Sequence, residues 1–140
     1  HNLFVDLVAT VERLVRGGVR PILAHAEREP VLLHEPEQIE ALVAAGCLIQ
    51  VNASSVTANG RSAEQRLLKG WFRRGLVHLV ASDAHSPRSR APRMSAAYNQ
   101  IVAWAGAARA DQVCSTNPLA ILYGLPLRIP PLQPRGWRLW

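Results

Sequence analysis

Apolar positions at helical spacing open the chain. Phe4, Leu7, Val8, Val11, Leu14 and Val15 recur at three- and four-residue intervals and predict a helix over residues 3–16, stopped by Gly17 and Gly18. The pattern then becomes a short continuous apolar run, Ile22-Leu23-Ala24, inside residues 20–25, which predicts a buried strand with Pro21 near its start. The alternation repeats. Residues 36–45 predict a second helix, with Pro36 in its first turn and Gly46 after it, and residues 47–51 a second strand ending at Asn52. A polar loop is expected over 53–61. Ser62 and Gln65 make a capping box for a third helix, whose stripe is Leu67, Leu68, Trp71 and Phe72 and whose stop is Gly75. Residues 76–82 predict a third strand, which delivers Asp83 and His85.

Beyond it, a Pro- and Arg-rich loop occupies 86–93 and a fourth helix runs over about 94–104. Residues 108–113 predict a short helical turn. Asn117-Pro118 marks the cap and first position of a last helix that ends at Gly124. Residues 126–140 hold Pro126, Pro130, Pro131 and Pro134 and no periodicity, and are expected to be a tail. Strands about thirty residues apart, alternating with helices, predict an α/β fold with a parallel sheet. Apolar runs without alternation fit strands covered on both faces.

In parallel α/β folds the C-terminal ends of the strands share one face, and ligands bind there. His25, Asn52, Asp83 and His85 therefore converge although they are distant in sequence. Two imidazoles and a carboxylate, without thiolate, suit Mn, Fe or Zn better than Ca or Cu(I). Neighbouring arginines suit an anionic, phosphorylated substrate. Plain alternatives exist for each residue: a lone His at a strand end is commonly just hydrogen-bonded, and Asp83 could cap a turn. His78, at the start of its strand, reads as structural, and His34 as solvated in its loop. Trp71 and Phe72 read as packing.

Composition sharpens the picture only at the edges. The 140 residues are enough for one domain with a core. The formal charge is +6, carried almost wholly by Arg, with Lys69 the single lysine. No basic stripe is interleaved with aromatics, so nucleic-acid binding is not expected. No apolar run spans a membrane, and stable membrane insertion is not expected either. Trp137, Arg138 and Trp140 form no amphipathic helix. Cys47 and Cys114 lack the spacing of a disulfide framework or zinc knuckle, which favours reduced thiols and a cytoplasmic location. The first residue is His1, not Met, as expected of a sequence that begins within a longer frame or after processing.

Three linked segments carry a resemblance. Pro21-Ile22-Leu23-Ala24-His25-Ala26-Glu27-Arg28 resembles a "P-x-x-A-H-x-E-R" motif, Gly46 to Asn52 a "G-x-x-x-Q-V-N" strand, and Val77 to His85 a "V-H-x-x-A-S-D-x-H" segment followed by Arg90. Together with Asn117-Pro118 they resemble the polymerase and histidinol phosphatase (PHP) superfamily, in its branch of bacterial capsular and exopolysaccharide tyrosine-protein phosphatases. The resemblance covers about residues 10–124. It implies the C-terminal part of a distorted (β/α)7 barrel, with a partial phosphatase domain over 1–125 and the tail over 126–140.

It further implies divalent metal ions, manganese foremost, with Fe, Zn or Mg as alternatives. His25, Asp83 and His85 match metal ligands. Arg28 and Arg90 match arginines near the phosphate, with Glu27 as a partner for Arg28. The implied reaction is hydrolysis of phosphotyrosine on a protein, foremost the tyrosine kinase of polysaccharide export; an oligomer is left open. The family's N-terminal H-x-H motif and further ligands have no counterpart here, and Ala26 and Glu29 replace the common Pro and Tyr. A chain with about half the ligands is expected to bind metal poorly. Two further readings remain open, another PHP phosphoesterase such as a histidinol phosphatase, and a non-catalytic remnant.

Overall fold

The structure, a computed structural model, describes residues 3–58, 60–127 and 129–133, and of residues 3–5 the backbone only. Helix α1 (Leu3–Arg16) buries Val11 and sets Leu7 and Val8 against the core. At its end Val19 N–H donates to the Leu14 carbonyl and Gly18 N–H to that of Val15, while Gly18 sits at φ 81°. This closure needs a left-handed residue, which glycine supplies without a Cβ penalty. Strand β1 (Ile22–Leu23) follows directly. The same pair of bonds recurs at Gly46, ahead of β2 (Leu48–Asn52), and at Gly75, ahead of β3 (Leu79–Ala81). Each strand is thus launched by a glycine that ends the preceding helix.

Between β1 and β2 lie a single 3-10 turn (Ala26–Arg28), helix α2 (Pro30–His34) and helix α3 (Pro36–Ala44). Helix α2 was not expected. Pro30 sits in its first turn, where a missing N–H costs nothing, and Leu32 and Leu33 are buried beneath it. His34 is exposed at its end, solvated as expected but on a helix rather than a loop. The expected loop after β2 likewise begins with a short helix, α4 (Ala53–Val56), which buries Ala53 and Val56. Helix α5 (Ala63–Arg74) starts as predicted, with Ser62 Oγ accepting from Gln65 N–H at 3.1 Å. The Gln65 side chain turns to the Ser55 carbonyl and so ties α5 to α4. Helix α6 (Ser95–Ala105) sets Trp104 against Phe72 of α5, ring centroids 5.8 Å apart.

The last helical region differs from the expected two pieces. Helices α7 (Ala107–Asp111) and α8 (Asn117–Leu122) are joined by a π-helical turn, Gln112–Thr116, and Asn117 has helical dihedrals (φ −68°, ψ −45°) rather than those of a cap. The wider turn absorbs Pro118, which has no N–H to give and whose ring needs room. Asn117 is instead a buried bracket: its Nδ2 donates to the His78 carbonyl at 2.8 Å. The stretch read as a tail has no helix or strand among residues 126–127 and 129–133. It returns to α5, where Gln133 N–H donates to the Arg74 carbonyl at 3.0 Å and Leu132 meets the core. His1, Trp137, Arg138 and Trp140 lie outside the described residues.

The sheet is parallel in the order β1-β2-β3, with Leu23 beside Ile49 and Val51 beside Val80. Side chains alternate across a strand. Leu23, Ile49, Val51 and Val80 therefore face the helices; the last three belong to the hydrophobic cluster and Leu23 packs against it. The opposite face carries Ile22, Leu48, Gln50, Asn52, Leu79 and Ala81, and there Ile22 and Ala81 are exposed. The two outer strands are shorter than predicted because side chains replace backbone in the ladder. Beyond Leu23, the His25 N–H is taken by Gln50 Oε1 at 2.8 Å. Before Leu79, the Ile49 N–H is taken by His78 Nδ1 at 2.9 Å.

Candidate functional site at the strand ends

The end of β1 is set by His25, whose backbone is left-handed (φ 38°, ψ 46°), an uncommon state for a residue with a Cβ. The reversal feeds the 3-10 turn, which buries Ala26 and Glu27 and leaves His25 and Arg28 exposed. The sequence paired Glu27 with Arg28, but its Oε1 accepts from the Asn52 N–H (3.2 Å) and the Ser55 hydroxyl (2.6 Å). The carboxylate therefore joins the turn after β1 to the first residues of α4. It does so because those donors are buried beside it, whereas Arg28 points to water. Glu27 Oε2 is buried with no partner among the described residues.

From His25 a line of hydrogen bonds crosses the sheet. The His25 N–H donates to Gln50 Oε1 at 2.8 Å, Gln50 Nε2 to Asn52 Oδ1 at 3.0 Å, and Asn52 Nδ2 to Asp83 Oδ2 at 3.1 Å. The direction is forced. A backbone N–H can only donate and a carboxylate can only accept, so both amide groups have one orientation that satisfies the line. Asn52 is fully buried and Gln50 nearly so, which makes these bonds costly to break. The sequence placed Asn52 in the convergent set. It gave Gln50 no task, because a glutamine that bridges two strands looks like any polar residue at a strand end.

At the end of β3, Asp83 is the second left-handed residue (φ 51°). These two are the only non-glycine residues with positive φ among those described, and each ends a strand. Such conformations store of the order of 1–3 kcal/mol and gather at functional sites. Asp83 Oδ2 also takes the Arg90 guanidinium. Arg90 is brought back by a tight loop: Ser86 Oγ accepts from the Ser89 and Arg90 N–H groups (3.0 and 3.1 Å), and the His85 N–H donates to the Arg90 carbonyl at 3.1 Å.

His85 stands mostly exposed, with Nδ1 2.7 Å from the Asp83 carbonyl oxygen. A carbonyl only accepts, so Nδ1 carries a proton, and the tautomer this contact selects has its lone pair on Nε2, the arrangement common in metal-binding imidazoles. The kinds of donor at this end, carboxylate oxygen and imidazole nitrogen, suit a divalent ion. Their number falls short: among the described residues no three His, Cys, Asp or Glu stand together as a metal-holding group. The structure brings Asp83 and His85 side by side and reaches His25 only through its backbone and two amides. Arg28 and Arg90 stand in different recesses, Arg28 beside Glu27 and Gln65, Arg90 beside Ser82 and Ala97.

His78 shows what the same ring does when buried. The ring Nδ1 accepts from Ile49 N–H, the His78 backbone N–H donates to the Ile49 carbonyl at 2.9 Å, and the ring Nε2 is buried without a partner among the described residues. Burial, aided by the nearby charges of Arg20 and Arg109, lowers its pKa from the usual 6.5 to about 4. It is neutral and structural, as the sequence suggested. Cys47 and Cys114 are both free thiols whose pKa values burial raises, Cys114 to about 11, so neither is a nucleophile.

The Streptococcus pneumoniae tyrosine-protein phosphatase CpsB is 29% identical over 127 residues, which span 87% of this chain and 52% of that protein. A putative tyrosine-protein phosphatase CapC of Staphylococcus aureus is 33% identical over 73 residues, 52% of this chain and 29% of that protein. A crystal structure from work on YwqE of Bacillus subtilis and CpsB of Streptococcus pneumoniae, described as metal-dependent tyrosine phosphatases, superposes with a TM-score of 0.83 at 22% identity. It covers 94% of this chain and 53% of that one, so the fold is shared. This chain spans about half the length of the relatives it matches. The family model described as capsular polysaccharide synthesis, CpsB/CapC, matches residues 2–123, and the chain belongs to that family.

Proposed function

We propose that this chain supplies one part of a metal-dependent protein-tyrosine phosphatase that hydrolyses phosphotyrosine on a protein of capsule or exopolysaccharide synthesis, foremost the tyrosine kinase of polysaccharide export, in the cytoplasm. The observation that carries it is the convergence of three strand ends on Asp83, joined by the Gln50–Asn52 line and flanked by His85 and Arg90. His25, Asp83 and His85 are the proposed metal-holding residues, with manganese foremost. The remaining ligands are assigned to the part of the relatives' length that this chain does not match. When bound, such an ion polarises the phosphoryl group and activates a water for attack.

This chain's own residues prepare that step. Asn52 and Arg90 fix the Asp83 carboxylate, and the Asp83 carbonyl fixes the His85 tautomer. Arg28 and Arg90 are the proposed donors to the phosphoryl oxygens, where a guanidinium fork matches the charge. Residues 1–125 form the catalytic portion and 126–140 a tail in this reading. Two free cysteines support the reducing location.

The test is phosphate release with manganese from a phosphotyrosine peptide and from histidinol phosphate, using the relatives' full length rebuilt around this chain. Release from the peptide alone is expected. Preference for histidinol phosphate would move the protein to another PHP phosphoesterase. The 140-residue chain by itself is expected to be nearly inactive, because its described donors do not complete a site. Full activity of that chain would sink the incomplete-site reading, and inactivity of both would favour a non-catalytic remnant.

A further inference from the structure

Next to Asp83, and lined by neither His25 nor His85, lies a recess of about 270 Å³. Arg88, Arg90 and Arg93 line it, together with the hydroxyls of Ser54, Ser82 and Ser89, and no acidic residue does. Arg90 is committed to Asp83. The guanidiniums of Arg88 and Arg93 have no hydrogen bond or ion pair among the described residues. Two uncompensated cations and several hydroxyl donors therefore converge on one concavity. Only Arg90, its shared wall, was matched to the phosphate site by sequence.

We propose that this recess is a second phosphate subsite, which holds another phosphorylated side chain of the same polypeptide substrate through Arg88 and Arg93. The chemistry selects the ligand. A carboxylate is satisfied by a single arginine fork, whereas a phosphate monoester presents three oxygens and nearly two charges, enough for two guanidiniums and the serine hydroxyls together. The small side chains Ala91 and Ala97 along the wall leave room for a tetrahedral group. Because Arg90 touches both sites, a second phosphate bound here lies next to the one to be cleaved. It would contribute to substrate binding and leave the chemical step alone. The substrate part of this inference rests on the phosphatase reading above.

Two measurements on the full 140-residue chain separate the inference from that reading. In the first, inorganic phosphate is titrated against the arginine Nε–H resonances. Shifts at Arg88 and Arg93 that vanish in R88Q/R93Q are expected, and shifts confined to Arg28 and Arg90 would overturn the subsite. In the second, fluorescent peptides with one phosphotyrosine, with two, or with a phosphotyrosine and an aspartate are compared by anisotropy. The second phosphate is expected to tighten binding by at least about tenfold, the scale of added charge-assisted hydrogen bonds. R88Q/R93Q should erase that gain and leave the singly phosphorylated peptide unchanged. R88K/R93K, which keeps the charge and loses the fork, should keep only part of it. Equal affinity for one and two phosphates, or an equal gain from aspartate, would overturn the phosphate assignment. Failure of this chain to bind any of the peptides would overturn the substrate part of the inference, while the inorganic phosphate titration still decides the subsite.

Discussion

His78 and His85 lie seven residues apart, one before β3 and one after it, and the two ends of that strand have opposite physical characters. At the beginning the ring is buried and neutral: Nδ1 of His78 fills a place in the sheet ladder and Asn117 holds its carbonyl, with only Nε2 left without a partner among the described residues. At the end, the backbone is forced left-handed at Asp83, His85 is open to water, and positive charge gathers in Arg88, Arg90 and Arg93. An imidazole at a strand terminus therefore has no fixed meaning. Burial and the partner of Nδ1 decide it. An N–H partner makes the ring an acceptor locked into the fold, and a carbonyl partner leaves Nε2 free to act outward.

The strongest way to break this contrast is Asp83→Ala in the rebuilt full-length enzyme. Activity should fall by at least about a thousandfold, with metal content falling alongside, since the substitution removes the proposed charged ligand and unseats Arg90. Retention of both rate and metal would show that the ligand assignment is wrong. Arg90→Ala should lower turnover by roughly a hundred- to a thousandfold and leave metal content intact. A parallel loss of metal would make Arg90 a support for Asp83 alone and remove its proposed second role as a phosphate donor.

The other end of the strand should answer in stability instead. The folded pKa of His78 lies below its unfolded value, so its contribution is fully present above about pH 6.5 and is lost as pH falls toward about 4. The whole difference is of the order of 3 kcal/mol. Urea unfolding at several pH values should show that slope, and His78→Gln, whose amide oxygen takes over as acceptor without titrating, should flatten it. Superimposable slopes for the two proteins would remove His78 from the acid response. Asn52→Ala spans both characters, being buried yet part of the site, and should cost about 1–3 kcal/mol by stranding Gln50 and Asp83. A neutral result in urea unfolding would mean that the amide line carries no weight.

The sequence made some of this legible and hid the rest for identifiable reasons. Helices α1, α3, α5 and α6 announce themselves through apolar spacing, Pro36, the Ser62 cap and the glycines that end them. The parallel sheet followed from the interval between apolar runs. Helices α2 and α4 are too short to show a period, and they exist because Leu32, Leu33, Ala53 and Val56 find burial. Asn117-Pro118 misled because its local signal is that of a helix start, while a tertiary bond to His78 and a π-helical turn carry the helix straight through. In the site, the strand ends gave Asn52, Asp83 and His85 correctly as neighbours. The partners of Gln50, Glu27 and His78 depend on distances across the sheet, which no local pattern encodes.

The left-handed backbones of His25 and Asp83 carry a consequence for how such a sequence can change. At His25 glycine would relax the chain by up to about 1 kcal/mol, and asparagine by less; at Asp83 the same relaxation is offset by the bonds to Asn52 and Arg90 that glycine would lose. The most stabilising exchange at His25 is therefore one that discards an imidazole, so selection for robustness and selection for chemistry oppose each other there. In a descendant freed from catalysis, His25 would drift first toward glycine, while Asp83, which holds buried Asn52, and His78, which the fold itself requires, would persist.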